Sequence, residues 1–432
     1  MTVRIADPVA VGSIRLRNRL YRAPVLEGAG GAPDPAAEYA RHFVANARAG
    51  VGLIVQGNTI VVPEGRTSPG MTAVRDRATI LALRPVTEAV HEAGARIVLQ
   101  VGHGGIFSIE AWHREHARAR RAPPLAPSPL PVWLRPLHGG VHVPSTDEVA
   151  ALVARFGAVA AWAREAGYDG VQLAASNAKL LHQFLSATYN RRRDRYGGDI
   201  EGRARILVEI REAIARAAGR DYPVLLKYAA VEEATWLARG IPLEEGLAVA
   251  RLAERAGFAA LTPVAADALP NTAICRGDFP GESFRNPRLR ELLGRAMGGR
   301  VALLGTAAAM WLAARRYPFS PVWNRPVFAA VKAAVSLPVF AVGGIRTPAE
   351  AAAILARGEA DLVGIGRPFY AEPDLARRFL AAAAGAEGKG APAFEPLRCE
   401  SCNRCVVPQM LGLPGVCYNP RGHARAPVVH AG

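Results

Sequence analysis

The chain has 432 residues, half of them hydrophobic, and 53 Lys and Arg against 37 Asp and Glu leave a formal net charge of +16. That is enough for a sizeable core, since one α/β barrel can use about 250 residues or more. No apolar run approaches the roughly 20 residues that span a bilayer and the N-terminus lacks a secretory apolar stretch, so a soluble cytoplasmic protein is expected; the arginines are dispersed without a nucleic-acid-binding signature, so the charge points to anionic small molecules rather than nucleic acid.

Short apolar strand candidates alternate with Ala/Arg/Glu-rich helical stretches. In chain order the strands fall at 20–23, 52–56, 97–101, 170–173, 224–228, 259–262, 339–342 and 362–365. Helices fit between them, for example over 148–166 and 243–256. Strands apolar almost throughout are buried on both faces, and eight βα units of this kind predict a parallel (β/α)8 TIM barrel, an α/β fold. A doubly wound open sheet would carry a glycine-rich turn after its first strand; here the first strand runs into Pro24-Val25-Leu26.

Two stretches break the rhythm. Residues 123–144 are proline-rich and follow the third strand, which in a barrel places them over the C-terminal rim, where active sites sit. Residues 269–326 separate the sixth and seventh strands, and 289–311 within them reads as a fairly apolar helix, open to surface docking or a membrane-peripheral role. The division expected is a barrel over 1–380 and a short extension over 381–432.

Four of the five cysteines lie in that extension as Cys399-x2-Cys402-x2-Cys405-x11-Cys417. Such spacing can wrap four thiolates around one metal centre, and its clustering in a leaderless chain points to metal ligation rather than disulfides. Cys275 stands outside the motif and reads as a small buried hydrophobe. Only four of the basic residues are lysines (Lys179, Lys227, Lys332 and Lys389), so a lysine in a pocket is informative.

Several segments resemble the Old Yellow Enzyme and 2,4-dienoyl-CoA reductase group of NADH:flavin oxidoreductases, in order along nearly the whole chain. They are Leu16-Arg17-Asn18-Arg19-Leu20 with Ala23-Pro24; Leu99-Gln100-Val101-Gly102-His103; Asn190-Arg191-Arg192 with Tyr196-Gly197-Gly198; Ala341-Val342-Gly343-Gly344-Ile345-Arg346; and Val363-Gly364-Ile365-Gly366-Arg367-Pro368. The resemblance implies an FMN-dependent oxidoreductase with NAD(P)H or another electron carrier as reductant and a small-molecule substrate; it leaves a homo-oligomer open. Independently, a phosphate needs backbone N–H groups at close approach, which favours glycine. Gly343, Gly344 and Gly366 end the last two strands, the usual phosphate position in such barrels, and Arg367 can add a bidentate contact.

The family also implies that Lys227 stands where an arginine commonly meets the flavin's pyrimidine edge, favouring the reduced state. Gln100 would bond the same edge, and Ala23, Pro24, Val25 and Gly57 would frame the ring. Leu26 takes the place of a hydroxyl or thiol that tunes the flavin.

On the substrate side the pattern breaks. The family's fourth strand ends in a His-x-x-Asn or His-x-x-His donor pair that holds a carbonyl oxygen, followed by a proton-donating tyrosine. Here Ala174 replaces the first donor, Asn177 retains the second, and Lys179 replaces the tyrosine. Losing one preorganised donor typically costs about 3–4 kcal/mol of transition-state stabilisation. Lys179 is the expected compensation, as a general acid of lowered pKa or as a charged electrophile; His103 and His182 are nearby candidate donors. The expected chemistry is hydride transfer to an activated C=C of a carbonyl compound or thioester. Desaturation, isomerisation, or a degenerate electron-transfer or scaffold role stand as alternatives. For the cysteines, the resemblance implies a [4Fe–4S] cluster, although that branch usually has one more residue between the second and third; zinc is the alternative.

Overall fold

The computed structural model describes residues 3–109, 112–118, 122–135, 140–235, 237–269, 272–385 and 394–422. The basic run at 116–121 beyond residue 118, the tip of the proline-rich stretch at 136–139, the linker at 386–393 and the tail at 423–432 lie outside it.

All eight predicted strands are present: β3 (Leu20–Arg22), β4 (Leu53–Ile60), β5 (Arg96–Gly102), β6 (Gly170–Ala175), β7 (Val224–Glu232), β8 (Ala260–Ala266), β9 (Phe340–Val342) and β10 (Leu362–Ile365). They follow a short antiparallel hairpin, β1 (Val9–Val11) and β2 (Ile14–Leu16), that the sequence reading did not anticipate. The eight form one parallel sheet in the order β8-β7-β6-β5-β4-β3-β10-β9. A bridge from Leu261 to Val339 and a 2.9 Å bond from the Leu261 N–H to the Pro338 carbonyl join its edges into a barrel. Asn324, fully buried, staples this weakest seam. Its amide donates to the carbonyls of Pro263 and Val342, both at 2.9 Å, and accepts from the Ala265 N–H at 3.0 Å.

Each strand is apolar on both faces because both are covered. Tyr21, Leu53, Val55, Val98, Leu225, Ala260, Phe340 and Leu362 fill the interior together with Val11, Ile14 and Leu16 of the hairpin, which plugs the N-terminal end. Ile54, Ile97, Leu99, Val171, Leu173, Leu226 and Val363 face the surrounding helices. The helix expected over 148–166 runs Thr146–Glu165, opened by a capping box between Ser145 and Glu148. That expected over 243–256 runs Leu243–Arg255. The apolar helix expected over 289–311 is instead two helices, Pro287–Met297 and Arg300–Arg316, bent 108° apart. Gly298 and Gly299, at φ +87° and +135°, turn the chain between them, a conformation that side chains rarely adopt. No single helix among the described residues is long and apolar enough to cross a membrane.

At the end of β3 lies a buried ion pair. Arg22 and Glu27 meet at 2.6 Å with 1% and 0% of their side chains exposed, and the guanidinium lies 4.9 Å over the Phe43 ring. Burial pushes the Glu27 carboxyl up to about 7 against the opposing pull of Arg22. Removing one member of such a pair strands the other without compensation, at about 3–5 kcal/mol. Arg22→Met is therefore expected to lower the free energy of unfolding, read by urea titration, by that amount; an unchanged midpoint would show the pair to be dispensable.

Candidate active site at the C-terminal end of the barrel

The interior turns polar toward the carboxyl ends of the strands. Gln100 donates to Gln172 at 2.8 Å, and Gln172 donates to Thr262 at 3.3 Å, so one chain of side chains crosses from β5 through β6 to β8. Lys227 sits above it, in register with Ala174 on one side and Thr262 on the other. Its ammonium has no hydrogen bond or ion pair among the described residues, and burial lowers its pKa to about 8, against a raising influence from Cys275. An unpaired cation at the mouth of a barrel is costly unless an anionic group comes to it.

Ala23 to Leu26 form one wall of this mouth. The Ala23 N–H bonds the Ile365 carbonyl at 2.9 Å, Leu26 bridges Gly57, and the Tyr370 hydroxyl donates to the Leu26 carbonyl at 2.7 Å. Gly57 is obligatory here: a Cβ would stand 2.6 Å from Pro24 and 3.3 Å from the Gln100 amide oxygen.

The predicted phosphate corner forms where β9 and β10 end side by side. The backbone N–H groups of Gly343, Gly344, Gly366 and Arg367 donate to no acceptor among the described residues. Four unsatisfied donors at adjacent strand ends form an anion cradle. Gly343 and Gly344 have φ of +116° and +81°, and a Cβ on either would strike Trp323. Gly366 differs, since a Cβ there would find Val25 at 3.3 Å and otherwise open space. The Arg367 guanidinium donates to the Asn403 side chain and, at 2.8 Å, to the Arg276 carbonyl, so the extension holds it in place beside the cradle. These donors, together with Lys227 and Gln100, fit a flavin mononucleotide.

Beyond β6 the backbone is strained. Asn177 and Ala178 adopt left-handed conformations at φ +51° and +53°. Ala rarely does so, and such strain concentrates at functional sites. The Asn177 side chain makes no hydrogen bond among the described residues. Lys179, at the N-terminus of the helix Leu180–Leu185, donates to the Thr67 hydroxyl at 3.0 Å, and burial lowers its pKa to about 8. Ala174 packs where a Cβ on Gly102 would stand 3.1 Å away, leaving no polar group in the position of the lost donor. His103, 3% exposed, accepts the Gly105 N–H at Nδ1, 2.9 Å away. That contact assigns its proton to Nε2, and burial pulls its pKa down to about 4, so it is a neutral donor at pH 7. His182 is structural: Nδ1 accepts the Ala178 N–H at 2.8 Å and Nε2 lies 2.8 Å from Glu232, both side chains fully buried. It thereby fixes the strained turn that carries Asn177.

The extension folds over the same rim. The Ser68 hydroxyl donates to the Gln409 carbonyl at 2.7 Å, and the Gly415 N–H to the Glu27 carbonyl at 2.6 Å. Arg346 and Arg367, from the ends of β9 and β10, brace the cysteine loop through Cys399, Ser401 and Asn403. Ser401 and Asn403 are left-handed, at φ +59° and +56°. Cys399, Cys402, Cys405 and Cys417 line one pocket together with Arg367 and Tyr370. Among the described residues no three His, Cys, Asp or Glu side chains are grouped as a single ion requires. Cys275, read from sequence as packing, lies within the influence of both Lys227 and Arg367, and burial pushes its thiol up. Thr67, Glu232, Asn324 and Arg346 were also missed; each acts through a partner distant in sequence.

The chain belongs to the NADH:flavin oxidoreductase / NADH oxidase family, whose model matches residues 4–254 and 301–383. It is 30% identical over 375 residues to a metal reductase of Desulforamulus reducens, covering 87% of this chain and 48% of that protein. To the NADH oxidase of Thermoanaerobacter brockii it is 29% identical over 422 residues, 94% of this chain and 56% of that one. The chain thus spans about half the length of these relatives. Among solved structures, morphinone reductase in complex with tetrahydroNAD superposes with a TM-score of 0.61 at 26% identity, covering 88% of this chain and 91% of that one.

Proposed function

We propose that the chain binds FMN across the barrel mouth and reduces an activated C=C of a carbonyl compound or thioester, drawing electrons from NAD(P)H or another carrier. The observation that carries this reading is the set of four unsatisfied N–H donors at Gly343, Gly344, Gly366 and Arg367, together with an unpaired Lys227. When bound, FMN supplies hydride chemistry at N5. The residues supply the rest. Lys227 and Gln100 bind the pyrimidine edge, and Ala23, Pro24, Val25, Leu26 and Gly57 frame the ring. Asn177 donates to the substrate's carbonyl oxygen, with the neutral His103 Nε2–H as second donor. Lys179, held by Thr67, delivers the proton to the carbon next to the carbonyl as general acid. Anaerobic protein reduced by NADH or NADPH should be reoxidised by an α,β-unsaturated ketone or thioester. Reduction without reoxidation by any such compound would favour desaturation, isomerisation or electron transfer instead.

Four cysteines lining one pocket support a [4Fe–4S] cluster held there, with zinc the alternative. Tetrahedral zinc would need the thiolates about 2.3 Å from one ion, whereas a cubane carries its four thiolates on four separate irons. Cys399, Cys402, Cys405 and Cys417 would hold it, on the division of a barrel over 1–380 and an extension over 381–432. Anaerobically purified protein is expected to contain iron and sulfide, and Cys405→Ser to lose both while staying yellow. One equivalent of zinc without sulfide would overturn the assignment.

A further inference from the structure

The helix Arg300–Arg316 packs little of itself against the barrel. Val301, Leu304, Trp311 and Leu312 are 86%, 69%, 44% and 60% exposed, and Ala314 is the one buried residue of the helix. Leu304 follows Val301 by three residues, and Trp311 and Leu312 follow Leu304 by seven and eight, which at about 100° per residue keeps all four on one side of the helix. A contiguous apolar stripe left in water marks an interaction site. Its surroundings are basic. Beside its N-terminus lies a groove of about 640 Å³ lined by Arg114, Arg290, Arg295 and Arg300, with Glu291 its one acidic residue. Glu291 is already paired with Arg295, while Arg114, Arg290 and Arg300 have no ion pair among the described residues. At the far end Arg315 lies 4.7 Å over the Trp311 ring, and Arg316 is paired with Glu233 at 2.8 Å.

We propose that this helix and the arginine groove beside it form a docking face for an anionic lipid surface, the helix lying in the plane of the interface. Apolar residues along one stripe, arginines at both ends and a tryptophan near the boundary are what an interfacial helix needs. A second copy of the chain fits less well: an isologous, antiparallel pairing of the stripes would set the arginine groove of one copy near Arg315 and Arg316 of the other, in a chain that already carries +16. The helix belongs to the connection after β8, so the docking face shares the end of the barrel that carries the site. Docking would turn the barrel mouth toward the bilayer.

The test is cosedimentation of the full chain with vesicles of phosphatidylglycerol and phosphatidylcholine, and with phosphatidylcholine alone. The expected result is binding to the anionic vesicles only, weakened at least about tenfold by Leu304→Ser with Leu312→Ser, and separately by Arg290→Gln with Arg300→Gln. All four side chains are exposed or groove-lining, and unchanged melting temperatures would show the variants folded. Failure to bind anionic vesicles, or binding untouched by the leucine pair, would overturn the proposal. So would a concentration-dependent dimer that the leucine pair disrupts in the absence of vesicle binding.

Discussion

Lys179→Met is expected to lower kcat by roughly 10²–10⁴-fold, the range a positioned general acid contributes, while FMN content and melting temperature stay close to those of the parent chain. Lys179 lies beyond the strand end that would hold the substrate, hydrogen-bonded to Thr67 at 3.0 Å, and burial lowers its pKa to about 8. An acid works in its protonated form, so kcat should be flat at lower pH and fall as pH rises through about 8. The methionine variant should lose that alkaline limb along with the rate. Thr67 accepts a hydrogen bond from the charged ammonium, so Thr67→Val removes a contact that favours the charge, and the limb should move to lower pH. A pH–rate profile of Lys179→Met that keeps the limb would assign the proton to another group. That group would not be His103, because a pKa near 4 leaves it neutral throughout this range and predicts a flat profile.

Gly366→Leu is expected to weaken FMN binding by about 100-fold or more, equivalent to about 2.7 kcal/mol, without unfolding the barrel. The two halves of that statement rest on different observations. At Gly343 and Gly344 any side chain is barred by positive φ and by Trp323, so substitution there would confound folding with binding. At Gly366 the nearest atoms to an added Cβ are Val25 Cγ1 at 3.3 Å and Ala23 Cβ at 4.0 Å, with nothing else within 4 Å. A leucine there would compete for the space that the proposed phosphate needs. Equilibrium titration of the apoprotein reads the affinity, and thermal unfolding without FMN reads the fold. A variant that binds FMN as tightly as the parent would move the phosphate elsewhere.

Much of this architecture is legible in the chain itself, for identifiable reasons. Parallel strands buried on both faces leave unbroken apolar runs, so 20–23, 97–101 and 362–365 stand out without tertiary information. The glycine corner at Gly343 and Gly344 is legible because positive φ and close packing demand that residue type. The hairpin Val9–Leu16 was missed because its three-residue strands carry too few alternations to show a period. The break between the helices Pro287–Met297 and Arg300–Arg316 did carry a signal, the paired Gly298-Gly299, which the apolar run around it obscured. At the site, Asn177 and Lys179 could be singled out by motif, but not the strain in the turn or its support by the buried His182–Glu232 pair, 50 residues apart. Thr67 and Lys179 are likewise 112 positions apart, and Cys275 meets Lys227 and Arg367 only once the barrel closes. Partnerships of that range are created by closure of the barrel and leave no local trace.

The account turns on an anion cradle at the ends of β9 and β10, and comparing FMN with riboflavin tests it most directly. The two share the isoalloxazine ring and differ in the terminal phosphate. Titrating the apoprotein with each, the account predicts that FMN binds one to one, with its yellow band perturbed on binding, and that riboflavin binds about 100-fold or more weakly, the loss of several charge-assisted hydrogen bonds. Equal affinity for the two, or binding of neither, would contradict it.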